Sequence, residues 1–335
     1  MSNVPLSSQQ RYHTPNRVIR AIDLFSGCGG SSLGATQAGV EVKAAVDLWP
    51  LARDTYLDNF NGVSFYNDRI ENLDPREVED KTGNIDLIMA SPECTSHTCA
   101  KGNNPGSESS RMTAFEVLRF VRELEPRWVI IENVVHMKKW AKYKVLIEQL
   151  KSELHYLVSE QTLSASAFGV PQSRRRLFII CDKEQIPRRV VPPKITLPSA
   201  RSIVDSNGTY AYSTLVTDKR ASATIARAER AIAKLGDDKP FLLVYYGSDA
   251  AGGWQSLDRP LRTVTTLDRF AYVKPSLEGY KMRMLQVPEI RTAMGFPSDF
   301  KLDRGSRRDK IHLLGNAVCP PVMETIIRSL IGELT

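Results

Sequence analysis

The chain has 335 residues, 42% hydrophobic and 25% charged, an ordinary globular composition for which disorder is not the default reading. Lys and Arg exceed Asp and Glu by 45 − 38 = 7 and the isoelectric point is near 9.1, which permits a polyanionic partner without requiring one. No apolar run approaches the roughly 20 residues of a membrane span, and five scattered cysteines with no C-x-x-C pair and no signal peptide before them fit a reducing, cytoplasmic setting.

Residues 1–16, polar with two prolines, read as a loose arm. Residues 18–24 form a first strand that runs into Phe25-Ser26-Gly27-Cys28-Gly29-Gly30 before a helix ending near Gly39. Strand, glycine turn and helix make a nucleotide-binding opening, in which backbone approaches a ligand closely and amides at the helix start bind its polar end. The plainer alternative is a tight turn that packs a helix on a sheet. The spacing G-x-G-G is not the dinucleotide pattern G-x-G-x-x-G, which speaks against a dehydrogenase.

A second strand, 42–46, carries Asp47 at its end, about twenty residues past the glycine loop, where an acid accepts hydrogen bonds from ribose hydroxyls. Trp49 suits stacking on an adenine or simple core packing. A helix over 50–59 and a short strand over 63–66 lead to Asp68, so strand-then-acid occurs twice. Residues 85–90 then form a buried strand that stops at Ser91-Pro92, placing Glu93 and Cys94 just beyond its carboxyl end, where open α/β sheets do their chemistry. Cys94 is a candidate nucleophile or an inert small hydrophobe. The polar loop 95–110, with Lys101, is a candidate lid. Cys94-x-x-His97-x-Cys99 lacks the second half-site that a structural zinc needs, so no metal is expected.

Helical spacing over 113–124 precedes a buried strand, 128–131, that ends in Glu132-Asn133-Val134. A carboxylate there is either paired to a cation or kept protonated. A helix over 144–154 and a strand over 156–165 follow, then Gln172-Ser173-Arg174-Arg175-Arg176 entering a strand over 177–181. Alternation along that entry presents Arg174 and Arg176 on one face. From Lys183 prolines break the pattern, and 196–271 mixes short β-like runs with turns and arginines, a second, irregular unit. The chain returns through a short helix over 287–294 and the turn Leu314-Gly315-Asn316-Ala317-Val318-Cys319-Pro320-Pro321 into a terminal helix.

Together these motifs resemble the DNA (cytosine-5) methyltransferases: DLFSGCGG at 23–30, ENV at 132–134, QSRRR at 172–176, RTAMGFP at 291–297 and GNAVCPP at 315–321 occur in that family's order and spacing. The resemblance covers about 18–182 and 280–330. It implies an α/β fold, a Rossmann-like S-adenosylmethionine-dependent methyltransferase sheet over 17–182 plus 281–335, with a second, smaller irregular target-recognition domain over 183–280. One motif departs. The family pattern Pro-Pro-Cys-Gln is here Pro92-Glu93-Cys94-Thr95, which keeps the cysteine and changes both neighbours.

Carried over residue by residue, the resemblance implies Cys94, Glu132, Arg174 and Arg176 as catalytic residues. S-adenosylmethionine would be held by Phe25, Ser26, Gly27, Gly29, Gly30, Asp47, Trp49, Asp68, Pro92, Asn316, Ala317 and Val318. Double-stranded DNA would meet Lys101, Gln172, Arg262, Thr265 and Arg269. The expected protein is a monomer in the cytoplasm, of prokaryotic or phage origin, without a membrane partner. A cognate restriction endonuclease, an RNA substrate, a modified adenosylmethionine and a catalytically silent DNA-binding relative stay open.

Overall fold

The computed structural model describes residues 18–93, 108–246 and 252–332. The first of its two sheets has seven strands: β1 (Arg20–Leu24), β2 (Glu41–Val46), β3 (Ser64–Tyr66), β4 (Leu87–Ala90), β5 (Trp128–Asn133), β6 (Leu157–Ser164) and β7 (Arg175–Asp182). Their order is β3-β2-β1-β4-β5-β7-β6, with β7 antiparallel to both neighbours and the pairings from β3 to β5 all parallel. All residues of β4 and β5 are buried, as expected of strands covered on both faces, whereas β3 and β6 stand at the edges and are partly exposed.

Alternation along the strands feeds two cores. Trp128 and Ile130 of β5 share a cluster with α1 (Gly30–Gln37) and α9 (Pro320–Ile331). Val129 and Ile131 join another built on α4 (Glu108–Leu124) and α5 (Tyr143–Glu148). Between these lie α2 (Pro50–Leu57) and α3 (Pro75–Thr82), each entered with proline in its first turn.

The second sheet, order β10-β9-β11-β12-β8, is antiparallel throughout: β8 (Ser213–Thr214), β9 (Phe241–Val244), β10 (Trp254–Ser256), β11 (Phe270–Lys274) and β12 (Lys281–Met284). In β9, Phe241 and Leu243 pack under α6 (Ser222–Leu235), while Leu242 and Val244 face the core shared with α9. The buried ion pair of Arg283 with Glu289, 2.7 Å, ties β12 to α7 (Val287–Ala293).

Several sequence expectations are corrected here. Glu132 and Asn133 belong to β5 instead of following it, because β7 continues to pair with them. The region expected to be irregular holds the 14-residue helix α6. Lys281–Met284 is a strand of the second sheet, so the chain returns to the first sheet's helices after 284 and not at 281. Gly315-Asn316 closes a helix, α8 (Arg307–Asn316), started by a Ser306–Asp309 capping box, where a free turn was expected.

Candidate active site

Leu24, Val46, Ala90 and Ile131 are in register across β2, β1, β4 and β5. The next residue on each strand, Phe25, Asp47, Ser91 and Glu132, therefore forms one row along the carboxyl edge. The chain reverses its direction of winding between β1 and β4, the place where open α/β sheets bind ligands. A cavity of about 480 Å³ opens over this row. Phe25, Ser26, Gly27, Asp47, Trp49, Asp68, Pro92, Asn316, Ala317 and Val318 line it, together with Glu93 and Glu132.

The glycine loop is shaped for close approach. Phe25 adopts φ 60, rare outside glycine, and Gly29 adopts φ 95 at the amino end of α1. A Cβ on Gly30 would lie 2.1 Å from the carbonyl oxygen of Val318, so only glycine lets the closing motif seat on this loop. Gly29 and Gly30 thus shape the cavity without lining it. Beneath them the buried Asp23 carboxylate accepts from the Ser32 amide (3.1 Å) and hydroxyl (2.6 Å). Burial pushes its pKa from 3.8 to about 7, against those hydrogen bonds.

Asp47 joins two loops: one carboxylate oxygen accepts from the Gly27 amide at 2.8 Å and the other from the Trp49 amide at 2.9 Å. Each oxygen keeps a lone pair for a ligand hydroxyl. Burial, more than any charge, raises its pKa, and the Glu93 carboxylate adds to the rise. The Trp49 ring sits 5.1 Å from that of His312 at the cavity wall. Asp68 is exposed, and one of its oxygens already accepts from the Arg69 amide and the Asn72 side chain.

Glu132 is 7% exposed and its Oε1 lies 3.1 Å from Arg176 Nε. Burial lifts its pKa, with Arg176 and then Arg174 pulling the other way, and the net direction is upward. Glu132, Arg174, Arg176 and Cys319 line a second cavity of about 10 Å³, room for about one water. The two arginines are brought together as the alternation implied, but they do different things. Arg174, 4% exposed, donates to the carbonyls of Val264, Gly315 and Ala317 and so braces backbone instead of facing a substrate.

Gln172, expected at the DNA surface, is fully buried. Its amide donates to Ala293 O and its oxygen accepts from the Val264 amide, because residues 171–173 pair with Leu261 and Thr263 and draw this side chain inward. Arg262 donates to Trp254 O and Arg269 to Tyr245 O within the second sheet, and the Thr265 hydroxyl donates to Leu267 O. Gly315 packs against the Thr265 backbone. Cys94 and Lys101 lie outside the described residues. Among the described cysteines, Cys28, Cys181 and Cys319 are buried, and burial pushes their thiols up, to about 12 for Cys28 and about 11 for Cys319. That leaves them poor nucleophiles.

Some contributors had no assigned role in the sequence. Ser91 donates its hydroxyl to Phe25 O, and Asn133 donates to Pro92 O at 3.0 Å, so both pin the backbone that leads to Glu93. The Asn67 amide holds the carbonyls of Asp47 and Leu48. His312 stands one helical turn before Asn316, an i, i+4 relation that a helix assignment for 307–316 would have revealed.

This strand order and edge row define a Rossmann-like methyltransferase. The family model described as C-5 cytosine-specific DNA methylase matches residues 19–332, and the chain belongs to that family. It is similar to the Type II methyltransferase M.HgiDI of Herpetosiphon aurantiacus, 29% identical over 90% of this chain and 90% of that protein. It is also similar to the Type II methyltransferase M.MthTI of Methanothermobacter thermautotrophicus, 26% identical over 92% and 96%. The fold matches a Spodoptera frugiperda DNMT2 mutant with TM-score 0.70 at 21% identity, over 93% of this chain and 99% of that one. The chain is accordingly a DNA cytosine methyltransferase that uses S-adenosylmethionine. The cavity fits that donor: its volume falls in the small-molecule range, the Trp49 ring offers a stacking face, and Asp47 stands at a strand end for hydroxyls. No helix among the described residues is long and apolar enough to cross a membrane.

Proposed function

We propose that the chain methylates carbon-5 of a cytosine swung out of duplex DNA at a specific sequence, through a covalent Cys94 adduct. The carrying observation is Glu132: a buried, upward-shifted carboxyl on the strand beside β4, with Arg176 against it, opening onto the cavity that Pro92 and Glu93 also line. Cytosine carbon-5 is a weak nucleophile until a thiolate adds to carbon-6. Cys94 provides the thiolate, and a free thiol near pKa ~8.5 is only slightly ionised at neutrality, so proton removal accompanies its attack. Glu132, whose pKa burial raises, donates a proton to ring nitrogen 3 as electrons arrive there. Arg176 holds the Glu132 carboxyl in place and offers its remaining donors to the base carbonyl.

S-adenosylmethionine supplies an electrophilic methyl group; Phe25–Gly27, Asp47, Trp49 and 316–318 would hold it. A base then takes the carbon-5 proton, the electrons of that bond restore the ring's 5,6 double bond, and the Cys94 sulfur leaves as thiolate. A base stacked in a duplex cannot reach Glu132, so flipping is required, at a cost of a few kcal/mol. The second sheet and the segment 261–266 supply the surface that selects the site, and a matching endonuclease would make the pair a restriction–modification system.

Nucleoside mass spectrometry of DNA from cells expressing the chain, beside a Cys94→Ala control, tests this. One added methyl per modified cytosine, absent in the control, is the expected result. Equal modification in the control removes Cys94 from the reaction, and an added mass other than methyl would contradict the donor.

A further inference from the structure

Five carboxylates line the large cavity: Asp47, Asp68, Glu71, Glu93 and Glu132. Four of them are engaged within the protein. Asp47 receives two backbone amides, Asp68 an amide and the Asn72 side chain, Glu71 lies 3.6 Å from Arg69, and Glu132 pairs with Arg176. Glu93 has no cation or hydrogen-bond donor paired to it among the described residues. The backbone just before it is held by Ser91 on Phe25 O and by Asn133 on Pro92 O. This is also the position at which the chain departs from the proline of the family pattern.

Strand order shows where that charge falls. Along the edge, β2 and β1 carry the donor-binding loops and β5 carries Glu132, with β4 between them. Glu93, two residues beyond the Ser91 row position, lines the same cavity at the end of the strand between these two sets, near enough to Asp47 for its charge to act there. In S-adenosylmethionine the atom bearing the transferable methyl is a sulfonium, positively charged; in the product, S-adenosylhomocysteine, the same sulfur is a neutral thioether.

We infer that Glu93 makes the pocket charge-selective, favouring the sulfonium donor over the thioether product. The inference rests on the reading of this cavity as the donor pocket. A carboxylate with no cation or donor paired to it among the described residues attracts a nearby cation and is nearly indifferent to a thioether, so its contribution to affinity disappears at the moment of transfer. The enzyme thereby holds its substrate and loosens its product with one side chain. Because Glu93 is exposed, its replacement leaves the cores intact.

Isothermal titration of the full chain with each nucleoside at fixed ionic strength is the test, on wild type, Glu93→Gln and Glu93→Lys, with the melting temperature of each unliganded protein as a folding control. The expected result is a Kd for S-adenosylmethionine that rises about fivefold in Glu93→Gln, the scale of one solvent-screened charge pair, and further in Glu93→Lys. The Kd for S-adenosylhomocysteine should change by less than about twofold over the same series. If both affinities fall together, or neither moves, Glu93 is not a charge selector although the pocket stands. If wild type binds neither nucleoside, the reading of the pocket itself fails, and this inference with it.

Discussion

Arg174 Nη2 lies 3.0 Å from the carbonyl oxygen of Gly315 and 3.1 Å from that of Ala317, so an arginine of the QSRRR motif is bolted to the GNAV motif 141 residues further along the chain. Its other terminal nitrogen reaches Val264 O, which brings the second sheet's connecting segment into the same joint. Gln172 makes a parallel joint between the Val264 amide and Ala293 O.

Arg174→Leu and Gln172→Leu are therefore expected to act on stability. Each leaves buried backbone groups without partners, at about 1–3 kcal/mol per group, read as a lower urea midpoint with an unchanged m-value. The salt dependence of DNA binding, which counts phosphate contacts, should keep its slope in the Gln172 variant. A reduced slope with normal stability would put this side chain on DNA after all.

Glu132→Gln preserves shape while removing the ionisable proton. The rate of methyl transfer should fall by about 10²–10⁴, the usual worth of a positioned general acid, with DNA affinity nearly unchanged. The pH profile carries a sign. The acting form is protonated and its pKa is raised by burial, so the Glu132 contribution is lost as pH rises through the folded-state pKa. Single-turnover rates of wild type should show that limb, and those of Glu132→Gln should lack it.

Asp23 makes a prediction about folding. Its folded pKa of about 7 lies above the ordinary 3.8, so the unfolded chain ionises first as pH rises. The stability linked to this group is fully present below the unfolded pKa and drains away up to about pH 7. Asp23→Asn keeps an acceptor for Ser32 and removes the titration. The stability difference between variant and wild type should move in favour of the variant between pH 5 and 7 and then level off; parallel curves from urea melts would show that Asp23 does not titrate there.

Gly30→Ala places a methyl where Val318 O stands, 2.1 Å away, so α1 or the closing motif must shift. A loss of about 1–3 kcal/mol is expected, together with weaker binding of S-adenosylmethionine.

Much of the site was legible because it follows chain-local rules. An apolar run ending in an acid marks a strand end, which exposed Asp47 and Glu132, and strand–glycine–helix marks a ligand loop. What was not legible depends on partners remote in sequence. Gln172 and Arg174 are polar and look like surface residues until their carbonyl partners are known. The helix α6 was legible in principle, since Ala228, Ala231, Ile232 and Leu235 recur at helical spacing on its packed face, but the prolines and turns around it drew the reading toward irregular structure. The start of α8 is masked by Arg307, Arg308 and Asp309, whose charges obscure the apolar face of Ile311 and Leu314.

The seat of Gly30 against Val318 also has a consequence in time. A ribosome completes the glycine loop well before the wall made by 316–318, so in between a nascent chain carries only half a donor pocket. Competence to hold the donor therefore waits for residues 316–318, and a chain released before them, even with its seven-stranded sheet complete, lacks one wall of the pocket.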